Sequence, residues 1–320
     1  MPGLVERYAT VAAGLLLIAV FMIAAPNFAS PANLINVVKD TSFLAILSLG
    51  FTLALVVAEL DLSVAEVASL SAVVVGWMIQ QKISPWLAVP AALGVAVLFG
   101  VLNGFGVTVL RVPSLITTLA SAAIARGCAF MITQGVAFVG RWPLEFTGLA
   151  RGVTLGVPNL VLWLAAVTGI GWFLLGWTRL GAHMIATGEA EEAARLSGIA
   201  TARMKRLGLL LSGGLAGLTA VLLAANLSSA APNMAGDYFL YAIAAVLLGM
   251  TMFTPGQPNV AGTVFAALVL KVLGNGLVLL GAAYYVQDIV LGVIMIGSVT
   301  ASSLAAGRPA FANRLNFRMR

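Results

Sequence analysis

Ionisable side chains are scarce in this chain, so chemistry is sought first at the few that stand among apolar residues. Glu59, Asp61 and Glu66 fall together in ELDLSVAE, 59–66, between two apolar runs. Carboxylates at membrane depth are costly, which makes them candidates for a solute path or a proton relay. Their spacing also fits a structural role. Ser63 followed three residues later by Glu66 has the form of a capping box, in which the hydroxyl takes an orphan amide and Glu66 reaches back to the Ser63 N–H. Asp61 then stands two residues outside the helix start, near the cytoplasmic interface, and capping is weighted above substrate contact. Arg126 lies 13 residues past Pro113, about 20 Å along a helix. A guanidinium so deep must snorkel, line a wet path or meet an acid, and pairing inside the bundle with the carboxylates near residue 60 is the preferred reading. Asn103 and Asn275 are suited to hydrogen bonding across helices or to facing a polar path. Lys271 also falls within a span, where its long stem can snorkel, and it is given no role.

The other charged group is TGEAEEAARLSGI, 187–199. Glu189, Glu191 and Glu192 crowd its first turn and Arg195 follows Glu191 by four residues, which suits the helix dipole and forms an acid-to-base pair. Gly188 is placed as N-cap and Gly198 as the residue that stops the helix. Such a helix of about two to three turns is unstable alone in water and needs packing from the membrane domain or a partner.

Several chemistries are absent. There is no GxxxxGK[ST] stretch, hence no phosphate-binding loop of that type. The single histidine, His183, has no second histidine or cysteine beside it, so neither a metal site nor a Ser–His–acid centre is expected. Cys128 is the only cysteine, lies in an apolar segment and reads as packing. The residues therefore point to a protein that is not an enzyme and holds no cofactor.

The elements that carry these residues are membrane helices. The chain is 61% hydrophobic and 9% charged, where soluble domains carry about a quarter charged residues. Long apolar runs without strand alternation exclude a transmembrane barrel and indicate an all-α polytopic membrane protein. Spans are expected at 7–25, 41–60, 63–80, 86–110, 113–134, 157–177, 206–226, 237–251, 259–280 and 286–304, about ten helices in one transmembrane domain covering 1–320. The first apolar run is longer than a signal-peptide core and reads as a retained helix. Residues 31–39 read as a short interfacial piece. With a cytoplasmic N-terminus, Arg7, Arg111, Arg179, Arg195, Arg203, Lys205, Arg206 and the basic tail at about 305–320 share the cytoplasmic side, leaving Lys39, Lys82, Arg141 and Arg151 opposite. That asymmetry follows the positive-inside rule and puts both termini and the loop at about 178–205 in the cytoplasm. The net charge of +6 thus reports orientation and not nucleic acid binding. Two polar junctions, 59–66 and 249–263, each precede an Asn-Gly pair, an internal echo of the paired broken helices found in transporters.

Four stretches, ELDLSVAEVASLSAVV at 59–74, LNGFGVTVLRVPSLITTLASAAIARG at 102–127, GEAEEAARLSGI at 188–199 and YAIAAVLLGMT at 241–251, stand in the order and form that resemble the membrane permease subunit of bacterial ATP-driven sugar importers of the ribose, xylose and galactoside group. The resemblance runs from about residue 40 to 304. It implies a type II-like ABC importer permease of the bacterial inner membrane that conducts a monosaccharide or sugar alcohol. It further implies a separate ATPase polypeptide carrying ATP and Mg, an extracytoplasmic solute-binding protein and a second permease copy. Carried onto this chain, it makes 188–199 the coupling helix, with Glu189, Glu191, Glu192, Arg195, Leu196 and Gly198 facing the ATPase. The family usually has glycines where this chain has Ala58, Glu59 and Ala65, and a glycine-rich turn where it has GMTMFTPGQPNVAGT. Bulkier residues at such breaks alter helix approach, which leaves the solute open, and with it the choice between homodimer and heterodimer. An ion-coupled secondary transporter, using the carboxylates near residue 60 and Arg126 as a relay, is the alternative.

Overall fold

The computed structural model describes residues 4–305. In chain order the helices are α1 (Leu4–Ala24), α2 (Pro31–Val56), α3 (Val64–Gln80), α4 (Pro85–Thr108), α5 (Ser114–Thr133), α6 (Leu144–Arg151), α7 (Asn159–Trp177), α8 (Arg179–Glu189), α9 (Glu191–Leu196), α10 (Thr201–Leu227), α11 (Tyr238–Gly249), α12 (Val260–Leu279) and α13 (Tyr284–Ala305). Each expected span falls on one helix. Among the described residues six, α2, α4, α5, α7, α10 and α12, are long and apolar enough to cross a membrane, and shorter apolar helices lie at Tyr8–Ala24, Val64–Gln80, Tyr238–Gly249 and Tyr285–Thr300. The basic tail from Arg308 lies outside the described residues.

One expectation fails at the start of α2. Residues 31–39 are not a separate interfacial piece but the first turns of a continuous 26-residue helix. The Ser30 hydroxyl accepts the Asn33 N–H at 3.3 Å, and Pro31 follows at the first helical position, where its missing N–H is harmless. Nothing at 39–41 breaks the helix, and the Thr41 hydroxyl donates back to the Val37 carbonyl without interrupting it.

The chain divides into two compact units, residues 1–41 with 241–320 and residues 42–240. In the first, α1 packs on α12 around Phe21, Ala25, Phe28, Val37 and Val272. Asn259 caps α12 by accepting the Gly262 N–H at 2.7 Å and ties down the preceding turn by donating to the Gly249 and Met252 carbonyls. In the second unit α10 lies along α4 with small residues at the crossing. A Cβ on Gly213 would stand 2.5 Å from the Ala96 carbonyl and one on Gly100 2.7 Å from that of Leu209. This is the close approach expected of small interface residues in membranes. Two short antiparallel pairings, β1 (Phe138–Val139) with β4 (Ser229–Ala230) and β2 (Val153–Thr154) with β3 (Val157–Pro158), close loops of this unit.

Candidate functional site

The charged loop is built on α8. Thr178 opens that helix by accepting the Gly181 N–H at 3.0 Å, and Met184 is buried with Val56, Val57 and Met204. Gly188 is not a cap. It sits inside α8, where any Cβ would collide with the Val56 carbonyl, so the glycine lets α8 lie directly on the end of α2. The helix breaks at Ala190 (φ −152°, ψ 81°), and α9 follows with six residues, shorter than expected.

Gly198 does stop α9. It takes φ +85°, its N–H donates to the Arg195 carbonyl and the Ile199 N–H donates to that of Ala194, which is the Schellman arrangement. The outer face of α9 is open: Glu191, Glu192, Arg195 and Gly198 are exposed and Leu196 is 82% exposed, whereas Ala194 is buried on the inner side. Glu189 is likewise exposed. Arg195 pairs with Glu192 at 3.1 Å, not with Glu191 as its spacing suggested. The Glu191 carboxylate reaches back to Lys205 at the start of α10, at 2.8 Å, and the same ammonium meets Glu59 at 2.8 Å.

Glu59 belongs to the non-helical segment between α2 and α3. Its neighbour Ala58 takes φ +60°. The backbone of this segment is held by the first turns of α5: the Leu60 N–H donates to the Ser114 hydroxyl, the Leu62 N–H to the Thr118 hydroxyl, and Thr118 donates in return to the Leu60 carbonyl at 3.1 Å. Hydroxyls of α5 thus supply the partners that a broken helix lacks. Pro113 stands just outside α5 as its N-cap residue.

The capping box does not form. Ser63 precedes α3 without capping it; its hydroxyl donates to Asp61 at 2.5 Å and accepts from the Asn103 amide at 3.0 Å. Asp61 also takes the Ser63 N–H, and a carboxyl oxygen two residues away outcompetes a helix amide for the hydroxyl. Asp61 is 1% exposed, and burial pushes its carboxyl above the usual range, opposed by the bonds from Ser63. Asp61, Ser63 and Asn103 therefore form one buried polar group, whereas Glu66 stands apart with its Oε2 buried and unpartnered among the described residues. Arg126 lies near enough to attract Glu66 but its guanidinium is exposed and rests over the Phe130 ring at 5.8 Å. Asn275 belongs to the other unit. It exchanges amide bonds of 2.9 and 3.0 Å with Asn33, a clamp between α12 and the start of α2.

Residues 33–299 match the family model described as branched-chain amino acid transport system / permease component. The chain is 37% identical to the Ribose import permease protein RbsC of Escherichia coli (strain K12) over 289 residues, covering 89% of this chain and 90% of that protein. It is 31% identical to the protein of the same name from Bacillus subtilis (strain 168), over 89% and 88%, and 31% identical to the L-arabinose transport system permease protein AraH of Escherichia coli (strain K12), over 86% and 83%. The chain belongs to the family of sugar ABC importer permeases.

In this permease the residues expected to face an ATPase are gathered on α9 and its flanks, all exposed. Sequence reasoning missed Lys205, counted only as one cytoplasmic charge. Its two partners lie 146 and 14 residues away along the chain, and only the fold of α8 against α2 joins them. The one signal was Glu59, an acid that burial would oblige to find a cation.

Proposed function

We infer that this chain is the membrane-spanning subunit of an importer for a small polar solute, a monosaccharide or sugar alcohol, driven by a separate ATPase. About ten helices cross the inner membrane with both termini in the cytoplasm, and residues 1–320 act as one permease domain. The observation that carries the reading is α9: a six-residue helix with four exposed functional side chains, including an 82% exposed leucine, with Ala194 buried behind them. A helix this short is not stable by itself, and an exposed apolar side chain ringed by charge is what a docking surface presents. Glu189, Glu191, Glu192, Arg195, Leu196 and Gly198 form that surface. The pentose permeases to which the chain is similar over almost nine-tenths of its length support the solute class.

A second permease copy and an extracytoplasmic binding protein complete the importer, and ATP with Mg resides on the ATPase. Asp61, Ser63, Asn103, Glu66 and Arg126 order the helices at the α2–α3 break and beside it, and Asn275 clamps α12. Replacing Glu191, Glu192 and Arg195 together by alanine is expected to abolish ATP-driven uptake and ATPase co-purification while the permease still inserts. Unaltered uptake in that variant would overturn the reading.

A further inference from the structure

We propose that Lys205 is the positioning residue through which movement of α9 reaches the α2–α3 segment and the start of α5. This rests on the functional reading above, in which α9 docks an ATPase. The Lys205 ammonium stands 2.8 Å from Glu59 Oε1 and 2.8 Å from Glu191 Oε2. With three donors it serves both acids at once. The two acids differ in setting. The Glu191 side chain is 52% exposed on the docking helix, whereas that of Glu59 is 8% exposed inside the protein.

The links on either side of this bridge are short. Glu59 is followed directly by Leu60 and Leu62, whose backbone groups are tied to Ser114 and Thr118 of α5. On the other side, α9 is joined to α8 by the break at Ala190 and to α10 by the Gly198 turn, both of which interrupt the helical path. A displacement of α9 therefore carries Glu191, drags the ammonium, and pulls Glu59 and the segment it anchors. The neighbouring bases do not offer the same route. Arg203 and Arg206 fall on other faces of α10 and border a groove with Val101, Leu207 and Leu210; the Arg206 Nε–H is taken by the Ala202 carbonyl. The position where the family resemblance expects glycine, Glu59, thus holds the buried end of a charge bridge.

The test uses the full permease reconstituted with its ATPase and binding protein in vesicles, reading solute uptake, ATP hydrolysis and ATPase co-purification together. Lys205→Met keeps the stem and removes the charge. Because it strands Glu59, the paired change Lys205→Met with Glu59→Gln, which buries no charge, is made beside it, and Lys205→Arg keeps the charge. In both neutral variants the ATPase is expected to stay bound and to hydrolyse ATP, with uptake down about tenfold, so that the ATP spent per solute rises by that factor. Lys205→Arg is expected to restore most of the uptake. The proposal is overturned if the paired variant keeps the native ratio of hydrolysis to uptake, if uptake and hydrolysis fall in proportion, or if Lys205→Arg is as impaired as Lys205→Met. Failure of the unaltered permease to retain any ATPase would instead refute the functional reading.

Discussion

At Ala58 the backbone takes φ +60°, a left-handed conformation that costs an L residue about 1–2 kcal/mol. Ala58→Gly removes that strain at some cost in chain entropy, so a net gain below about 1 kcal/mol is expected, read as a raised Tm of the purified permease with uptake preserved. A lowered Tm would show that the alanine methyl contributes packing that outweighs the strain. Gly188 is the opposite case. Gly188→Ala drives a methyl into the Val56 carbonyl, a backbone group that cannot swing aside, and should cost about 1–3 kcal/mol and reduce the amount of folded permease. Full abundance of that variant would mean that α8 does not lie on α2 as described. Arg126→Ala should lower abundance and uptake together, because the guanidinium rests over the Phe130 ring and lies near enough to attract Glu66; normal abundance with lost uptake would contradict this. The sequence makes Gly198 readable, because a helix stop needs a residue tolerant of positive φ. It misleads at Gly188 and Ser63, where what decides the role is a neighbour far along the chain or a stronger acceptor two residues away.

Among the elements, long apolar helices were legible from composition alone, since a run of about twenty apolar residues matches the thickness of a bilayer and has no comparable place in water. The short charged helix α9 was legible because its charges contrast with everything around it. Its length was not, because Ala190 breaks the chain where propensity favours continuing the helix. The pairing of α4 with α10 was half legible: Gly213 and Gly217 press tightly on α4, but a Cβ on the adjacent Gly214 would make only ordinary contact, 3.9 Å from Val97. Gly213→Leu should separate these helices, because its side chain would start 2.5 Å from the Ala96 carbonyl, while Gly214→Leu should be tolerated. Comparing the yield of folded permease in the two variants checks this, and equal yields would contradict the crossing.

For the whole molecule, the resemblance over residues 40–304 and the family match over 33–299 cover nearly the same stretch. Fold class and permease role were therefore visible in the order of the motifs. The solute was not, because ribose and L-arabinose permeases are both similar to this chain. Whether α9 makes transport answer to an ATPase is tested most directly by tracer uptake into vesicles holding the permease, its ATPase and its binding protein, with ATP supplied at constant level and an uncoupler added. Uptake should require both ATP and the ATPase and should persist when the uncoupler collapses the ion gradient. Uptake that proceeds without the ATPase and stops with the uncoupler would contradict that coupling and favour an ion-coupled carrier.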